Sequence, residues 1–189
     1  MNFIKTFLVS LLIYLGLNLV FAFIMVYTNP ILAAQPDAGL LIIAMMFGPI
    51  TISPVNAWVH FPLPLGYPYN SGIVGIIETI SLGGDYLAAI IMFLYLVIPP
   101  LMSVIIGGVV ADSTTIAFGS WFLIAIISTA AFAILIGTMG TSPSIFIMFT
   151  NHLIWLNGPT DLYIALVLTG LINAFVYGCI SFLVTRKKL

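Results

Sequence analysis

Long apolar runs alternate with short polar segments along this chain. Four runs are long enough for helices that cross a bilayer, which need roughly 20 apolar residues each. They lie at residues 4–27, 86–110, 115–139 and 162–184. The pattern predicts an all-α integral membrane protein, a polytopic helical bundle with four transmembrane helices.

Polar residues with capping chemistry stand at the ends of these runs. Asn29-Pro30 follows the first run, and the starts of the other three carry Asp85, Asp112 and Asp161. Such side chains accept hydrogen bonds from the N–H groups that lack a partner in the first helical turn. We therefore interpret the three aspartates as helix caps.

Three further apolar stretches are interrupted or short. Residues 40–59 contain Pro49 and Pro54, and residues 71–84 and 143–156 are each 14 residues long. Apolar segments of this length are typical of re-entrant or interfacial helices. We therefore predict two or three half-helices beside the four spans. Six spans are the alternative if the first two stretches both cross, and five would place one terminus outside.

The composition indicates that lipid is the solvent for most of the chain. Of its 189 residues, 62% are hydrophobic and 5% are charged, and the mean hydropathy is +1.29. Soluble domains carry about 25% charged residues, so this chain could not keep a water-facing surface soluble. The formal net charge of −1 gives no basis for nucleic-acid binding. We expect residues 1–189 to form a single transmembrane domain.

Basic residues occur only near the two ends of the chain. They are Lys5, Arg186, Lys187 and Lys188. Because basic residues stay on the cytoplasmic side, the sequence predicts a plasma membrane protein with both termini in the cytoplasm. Residues 28–85 and 140–161 then form extracytoplasmic segments, and residues 111–114 form a tight cytoplasmic hairpin. A binding surface is therefore expected on the outer side, which has most of the irregular chain.

Small residues recur at every fourth position in the last three spans. The sets are Ser103, Gly107 and Ala111; Ala125, Thr129, Ala133 and Gly137; and Gly170, Ala174 and Gly178. A spacing of four keeps each set on one helical face, where small side chains let membrane helices approach closely. We predict a tightly packed bundle in which these residues line the helix contacts.

The first span carries a polar face instead of such a set. Ser10, Tyr14, Asn18 and Ala22 recur at the same spacing of four. Two interpretations of this face remain open. It makes polar contacts within the bundle, or it contacts a partner protein from the edge of the bundle.

Pro99 and Pro100 lie in the middle of the second span. Proline removes a backbone donor and clashes with the preceding turn, so we predict a helix kink at this pair. The kink either shapes the bundle as a fixed feature or acts as a hinge beside a substrate.

Glu78 is the acidic residue that most resembles a functional carboxylate. It lies in the apolar stretch GIVGIIETISLGG, with no basic residue near it in the sequence. An acid within a membrane segment is costly and indicates a proton pathway or cation binding. If the stretch lies at the outer interface, however, the carboxylate only points to water. Both interpretations stay open.

Aromatic residues and histidines cluster in the predicted extracytoplasmic segments. The candidate outer-face contacts are Trp58, His60, Tyr67, Tyr69, His152 and Trp155. Such rings favour the headgroup layer, so interface anchoring is the first interpretation and ligation of haem or a metal by the histidines is the second. Residues 55–72 also contain three prolines that hold a chain extended. We predict an outer cap that docks a partner.

The sequence offers no catalytic motif and no cluster with metal-ligand spacing around its single cysteine, Cys179. We therefore predict no catalytic, cofactor or metal site, and an enzymatic role is the weakest hypothesis. The preferred hypothesis is a non-catalytic accessory subunit of a larger membrane complex, in contact with the lipid bilayer and other membrane subunits. The alternative is a small-molecule or ion transporter, or a substrate-binding membrane subunit, as the interrupted helices and Glu78 indicate.

Overall fold

The computed structural model of this chain describes residues 3–28, 33–34, 38–51, 61–62, 70–71, 77, 86–139 and 159–188. Within these residues the α-helices are α1 (Phe3–Thr28), α2 (Ala38–Phe47), α3 (Tyr86–Val110), α4 (Thr114–Met139) and α5 (Pro159–Lys188). A 3-10 helix, Gly48–Thr51, continues directly from α2, and the strands β1 (Phe61–Pro62) and β2 (Asn70–Ser71) pair antiparallel.

Four of these helices, α1, α3, α4 and α5, are long and apolar enough to cross a membrane. The prediction of an all-α chain with four such helices is confirmed. Large apolar side chains lie on the outward faces, where Leu12, Ile134 and Phe175 are 70%, 65% and 62% exposed. Such a surface matches lipid tails, and in lipid a helix has the advantage that it satisfies its own backbone donors and acceptors.

The long helices alternate in direction, so α1 begins and α5 ends at the same end of the bundle, which we call the terminal end. There the Phe3 ring lies against Gly119, near the start of α4. The Thr185 hydroxyl, near the end of α5, donates a 2.9 Å hydrogen bond to the Gly108 carbonyl of α3. The end of α3 and the start of α4 therefore lie beside the two chain termini.

The terminal end also carries exposed basic side chains. Lys5 lies in the first turn of α1, and Arg186 and Lys187 lie in the last turn of α5. The ends of the long helices at Thr28 and Met139, and their starts at Tyr86 and Pro159, lie at the opposite end. Positive charge and the shortest connection thus share one end of the molecule.

A connection of three residues, 111–113, joins α3 to α4 at the terminal end. The Ile116 N–H donates to the Ser113 side-chain oxygen at 3.2 Å, and the Ala117 N–H donates to the Ser113 carbonyl at 3.0 Å. Ser113 therefore caps α4 in the way that polar residues cap helix starts. Asp112, beside it, is exposed.

The other two aspartates interpreted as caps differ in their placement. α5 begins at Pro159, and proline is favoured at a first helical position because its missing N–H would have no partner there. Asp161 consequently lies within the first turn of α5 and not before it, so that interpretation is wrong. Asp85 lies outside the described residues.

Small residues let α3 pack closely on both α1 and α5. The Ser103 hydroxyl donates a 2.7 Å hydrogen bond to the Ser10 carbonyl, and Gly107 lies in direct contact with the Ser10 side chain. On the neighbouring face of α3, a Cβ atom added at Gly108 would lie 2.8 Å from the Ser181 carbonyl oxygen of α5. No side chain fits at Gly108 unless the backbone of one helix moves.

The small residues of α4 and α5 face each other. Gly170 contacts the Thr129 side chain, and Gly178 lies against the Phe118 ring. Among the residues singled out at spacing four, Ala133 is half-buried and Gly137 is exposed. The others are buried: Ser103, Gly107, Ala111, Ala125, Thr129, Gly170, Ala174 and Gly178.

α3 continues without interruption through Pro99 and Pro100, and both prolines are buried. The neighbouring Leu96 and Val97 belong to the hydrophobic core, so this part of α3 is packed against other helices. The helix is not broken at the proline pair. The kink predicted there stays a prediction.

Buried side chains form two core layers along the bundle. The layer nearer the terminal end contains Tyr14, Val104, Trp121, Ile124, Ala125, Ala174 and Tyr177. The second layer contains Ala22, Met25, Val26, Leu41, Ile42, Ala44, Met45, Tyr95, Leu96, Val97, Phe132 and Leu166. α2 contributes only to the second layer, and its last residues lie where the two layers meet.

Candidate functional site

α2 enters the bundle from the end opposite to the chain termini. Asn18 contacts Met46, whereas Tyr14, nearer the terminal end, contacts Phe47, one residue later in α2. α2 therefore runs antiparallel to α1. Its 10 residues give a length of about 15 Å, half of the roughly 30 Å hydrocarbon core of a bilayer.

α2 ends in the interior of the bundle. Tyr14 follows Phe3 by a rise of about 16 Å along α1, and its hydroxyl lies 3.4 Å from the Phe47 carbonyl oxygen. Gly48 and Pro49 are buried, and the 3-10 helix contacts α3, α4 and α5. The chain therefore leaves the α-helical conformation among other helices and near the middle of the bundle.

The sequence Gly48-Pro49 explains why α2 ends where it does. In an α-helix the Met45 carbonyl would accept a hydrogen bond from the N–H of residue 49. Proline has no N–H, and its ring clashes with that same carbonyl. Glycine and proline directly after the last turn are also typical of helix ends. Pro49 thus leaves the Met45 carbonyl without its helical donor.

Side chains of α1 and α3 supply donors to the end of α2. The Tyr95 hydroxyl donates to the Met45 carbonyl at 2.6 Å, and the Asn18 side-chain amide donates to the Met46 carbonyl at 2.7 Å. Tyr95, Asn18 and Tyr14 are fully buried. Their donor groups replace hydrogen bonds that the helix end lacks. We call the carbonyl groups of residues 45–47 and the following Gly48-Pro49 the α2 break.

Several buried polar atoms have no hydrogen-bond partner in the part of the chain that the structure describes. They are Oγ1 of Thr6, Oδ1 of Asn18, Oγ of Ser120, Oγ of Ser128 and Oγ1 of Thr129. Asn18 Oδ1 belongs to the α2 break, because the nitrogen of the same amide group donates to Met46. A buried polar atom without a partner costs about 1–3 kcal/mol. Asn18 Oδ1 therefore marks a place where a donor or a cation would be favoured.

Ser128 extends the polar interior on α4. It follows Trp121 by two helical turns, on the face that Trp121 directs at Tyr14. α1 and α4 run parallel, and Asn18 follows Tyr14 by one turn on the inward face of α1. The polar residues of the two helices thus continue in the same direction from the contact between Tyr14 and Trp121.

Aromatic rings fill the interior on the terminal side of the α2 break. The rings of Tyr14 and Trp121 meet edge to face with centroids 5.7 Å apart, and those of Trp121 and Tyr177 lie 5.9 Å apart. The Trp121 indole N–H donates to the Asn173 carbonyl at 3.3 Å. Edge-to-face rings form a well-packed, rigid contact. These three rings close the interior between the α2 break and the terminal end.

The atoms that could act as ligands at the α2 break indicate what it can bind. Among the described residues, no group of three or more His, Cys, Asp or Glu side chains could hold a metal ion. Cys179 is half-buried in α5. The α2 break instead offers neutral oxygen atoms, from backbone carbonyls and from an amide, and these oxygens accept hydrogen bonds or coordinate hard cations.

The candidates that the sequence singled out for chemistry lie outside the described residues. They are Glu78, Trp58, His60, Tyr67, Tyr69, His152 and Trp155, together with the half-helix predicted at 143–156 and, apart from Ser71 and Ile77, the one predicted at 71–84. Within residues 55–72 the structure describes only the pairing of Phe61 with Ser71 and of Pro62 with Asn70. The interpretations of all these residues stay predictions.

The residues of the α2 break carried only partial signals in the sequence. Tyr14 and Asn18 belong to the polar face of α1, which the structure places inside the bundle and not at its edge. Pro49 marked an interruption of an apolar stretch. Tyr95 lies in the middle of an apolar run, and no spacing connects it to α2.

Comparison of the chain with protein-family models, with curated proteins and with solved structures finds no match.

Proposed function

We propose that this chain is a multi-pass membrane protein that binds a small solute at the α2 break and moves it across the plasma membrane. α1, α3, α4 and α5 cross the bilayer, with both termini in the cytoplasm. α2 is a re-entrant half-helix that enters from the outer side. The observation that carries the proposal is the enclosed end of α2, with its carbonyls held by Tyr95 and Asn18.

Membrane physics gives this observation its functional meaning. Irregular backbone at membrane depth is tolerated only where protein buries it or where it lines a wet cavity. Many transport proteins end discontinuous helices near the middle of the membrane and present the helix ends to solutes and coupling ions. A helix of half the bilayer thickness, such as α2, suits that arrangement.

The buried polar atoms favour a ligand over a purely structural break. A structural break needs donors for its carbonyls, and Tyr95 and Asn18 already provide them. The Asn18 Oδ1 and Ser128 Oγ atoms have no part in that task and no partner among the described residues. A solute with hydrogen-bond donors would satisfy such atoms.

The exposed basic residues support the proposed orientation. Lys5, Arg186 and Lys187 lie at the terminal end, and basic residues are retained on the cytoplasmic side. The accessory-subunit hypothesis rests on the lack of catalytic motifs, the low charge, the small size and residues 55–72, of which the structure describes only four. It stays a prediction. A stable stoichiometric complex in mild detergent would support it.

Cysteine labelling tests the topology. In a Cys179→Ala background, Ala34→Cys and Gly66→Cys should react with a membrane-impermeant maleimide in intact cells, because both residues then lie on the outer side. Thr115→Cys, at the start of α4, should react only after lysis. Protection of Gly66→Cys together with labelling of Ala34→Cys would indicate the six-span alternative. Labelling of Thr115→Cys in intact cells would contradict the proposed orientation.

Solute binding is tested by identifying the small molecules that copurify with the protein. We expect the protein in nanodiscs to release on denaturation a small molecule that is depleted from the Asn18→Leu variant. Ser103→Ala serves as the matched control, because it also removes a buried donor to a backbone carbonyl, but between α1 and α3. Mass spectrometry of the extracts makes the comparison. Identical extracts from all three proteins would count against solute binding at the α2 break.

A further inference from the structure

We propose that the α2 break binds a monovalent alkali cation such as Na⁺, with Asn18 Oδ1 and the carbonyl oxygens of residues 45–47 as ligands. This inference deepens the proposed function and rests on it, because it names the coupling ion of the same site. It depends on four observations: the direction of α2, the free Asn18 oxygen, the kind of ligand atoms and the location of the basic residues.

The direction of α2 gives the break a partial negative charge. The last carbonyls of a helix point along its axis, and together they act like about half an elementary negative charge. In α2 these are the carbonyls of residues 45–47, of which Met45 is buried and Met46 and Phe47 are half-buried among the other helices. Tyr95, Asn18 and Tyr14 each donate one hydrogen bond, to the carbonyl oxygens of Met45, Met46 and Phe47 in that order. A carbonyl oxygen has two lone pairs, so the Met45 and Met46 oxygens each keep one for a further partner.

Asn18 supplies an oxygen that is already positioned at the break. Its amide nitrogen donates to the Met46 carbonyl at 2.7 Å, and this bond fixes the plane of the amide group. The oxygen of the same group is buried and has no partner among the described residues. Asn18 therefore presents an acceptor next to the carbonyls of α2, and only a donor or a cation can satisfy it.

The ligand atoms select the class of cation. Carbonyl and amide oxygens are hard ligands that suit alkali and alkaline-earth ions. Calcium sites generally include carboxylates, and magnesium keeps several of its waters. None of the side chains described at the break is acidic. Neutral oxygens and half a unit of negative charge offset a single positive charge better than a double one.

No described positive charge competes with a cation at the break. Lys5, Arg186 and Lys187 are exposed at the terminal end, and the buried rings of Tyr14, Trp121 and Tyr177 separate that end from the break. A cation reaching the break would therefore come from the opposite end, from which α2 itself enters. That is the outer side in the proposed topology.

Thermal unfolding of the full chain in nanodiscs tests the inference. The melting temperature would be measured in NaCl, LiCl, KCl and choline chloride at equal concentrations. We expect a saturable rise of about 3 °C or more in one alkali salt over choline chloride, because an ion that binds only the folded state stabilises it. Equal melting temperatures in all four salts would overturn the inference. They would indicate that water, and not a cation, satisfies Asn18 Oδ1.

Variants of Asn18 locate the effect. Asn18→Leu should abolish the rise. Asn18→Asp should change its size and the salt concentration at which it saturates, because it replaces the amide donor to Met46 with a carboxyl group beside the same carbonyls. The Ser103→Ala control should melt at a lower temperature but keep the full rise. If Asn18→Leu does not fold, the salt-dependent rise in the melting temperature of Asn18→Asp tests the inference instead. A rise that Asn18→Asp leaves unchanged, or that Ser103→Ala also abolishes, would contradict cation binding at the break.

The two proposals can fail separately. A rise in melting temperature without any retained solute would support the cation site and count against solute binding. A retained solute without any dependence on the cation would support the proposed function and overturn the cation site.

Discussion

Replacing Tyr95 with phenylalanine should lower the free energy of unfolding by about 1–3 kcal/mol. The change removes a single oxygen, so the packing of the ring is kept. It leaves the Met45 carbonyl buried without its donor, which costs that amount. Reversible unfolding in mixed detergent micelles measures the effect. Tyr27→Phe is the matched control, because Tyr27 is 70% exposed, and such a surface change should stay within about 0.5 kcal/mol.

A second substitution tests the explanation for this effect. Pro49→Ala restores the N–H that would donate to the Met45 carbonyl in a continuing helix. The Tyr95→Phe change should therefore cost less in a Pro49→Ala background than alone, with a coupling energy of about 1 kcal/mol in a double-mutant cycle. If the free-energy costs of the two substitutions add to within about 0.3 kcal/mol, the Tyr95 hydroxyl does not act as the substitute for the N–H that Pro49 lacks.

Replacing Gly108 with alanine should also lower the free energy of unfolding, by about 1–3 kcal/mol. The added methyl would lie 2.8 Å from the Ser181 carbonyl oxygen and 3.1 Å from Val184. Backbone cannot move aside as a flexible side chain can, so α3 and α5 would have to separate. That separation would also stretch the bond from the Thr185 hydroxyl to the Gly108 carbonyl.

Gly16→Ala is the control for this prediction. A Cβ atom added at Gly16 meets nothing within 4 Å, so only the helix preference for alanine, about 1 kcal/mol, acts there. We expect Gly16→Ala to leave stability unchanged or to raise it, measured in the same detergent titration. A Gly108→Ala variant as stable as Gly16→Ala would mean that the close approach of α3 and α5 is not required.

The long helices could be predicted from the sequence because lipid imposes a local rule. A spanning segment must satisfy its own backbone, so its composition and its end residues decide where it lies. α3, predicted at 86–110, begins at Tyr86 and ends at Val110. α4, predicted at 115–139, begins at Thr114, directly after the cap at Ser113.

The α2 break could not be predicted because its bonds join distant parts of the chain. Periodicity showed that Tyr14 and Asn18 share a face of α1, but a period does not identify the partner of a face. The bond from Tyr95 to Met45 spans 50 positions. It depends on how deep α2 lies along α1 and α4. That depth is set by packing in three dimensions and cannot be derived from neighbouring residues in the sequence.

The 3-10 helix at Gly48–Thr51 is synthesised well before the helices that enclose it. When α2 leaves the ribosome, only α1 has been made, and only Tyr14 and Asn18 are available to it. α3 follows, and α5 completes the enclosure on the order of ten seconds later at usual translation rates. In the proposed topology, a half-helix whose last carbonyls lack hydrogen-bond donors is not stable in hydrocarbon. In that topology we expect the nascent chain to insert in two stages, with α2 taking its final position only after the C-terminal helix has been made.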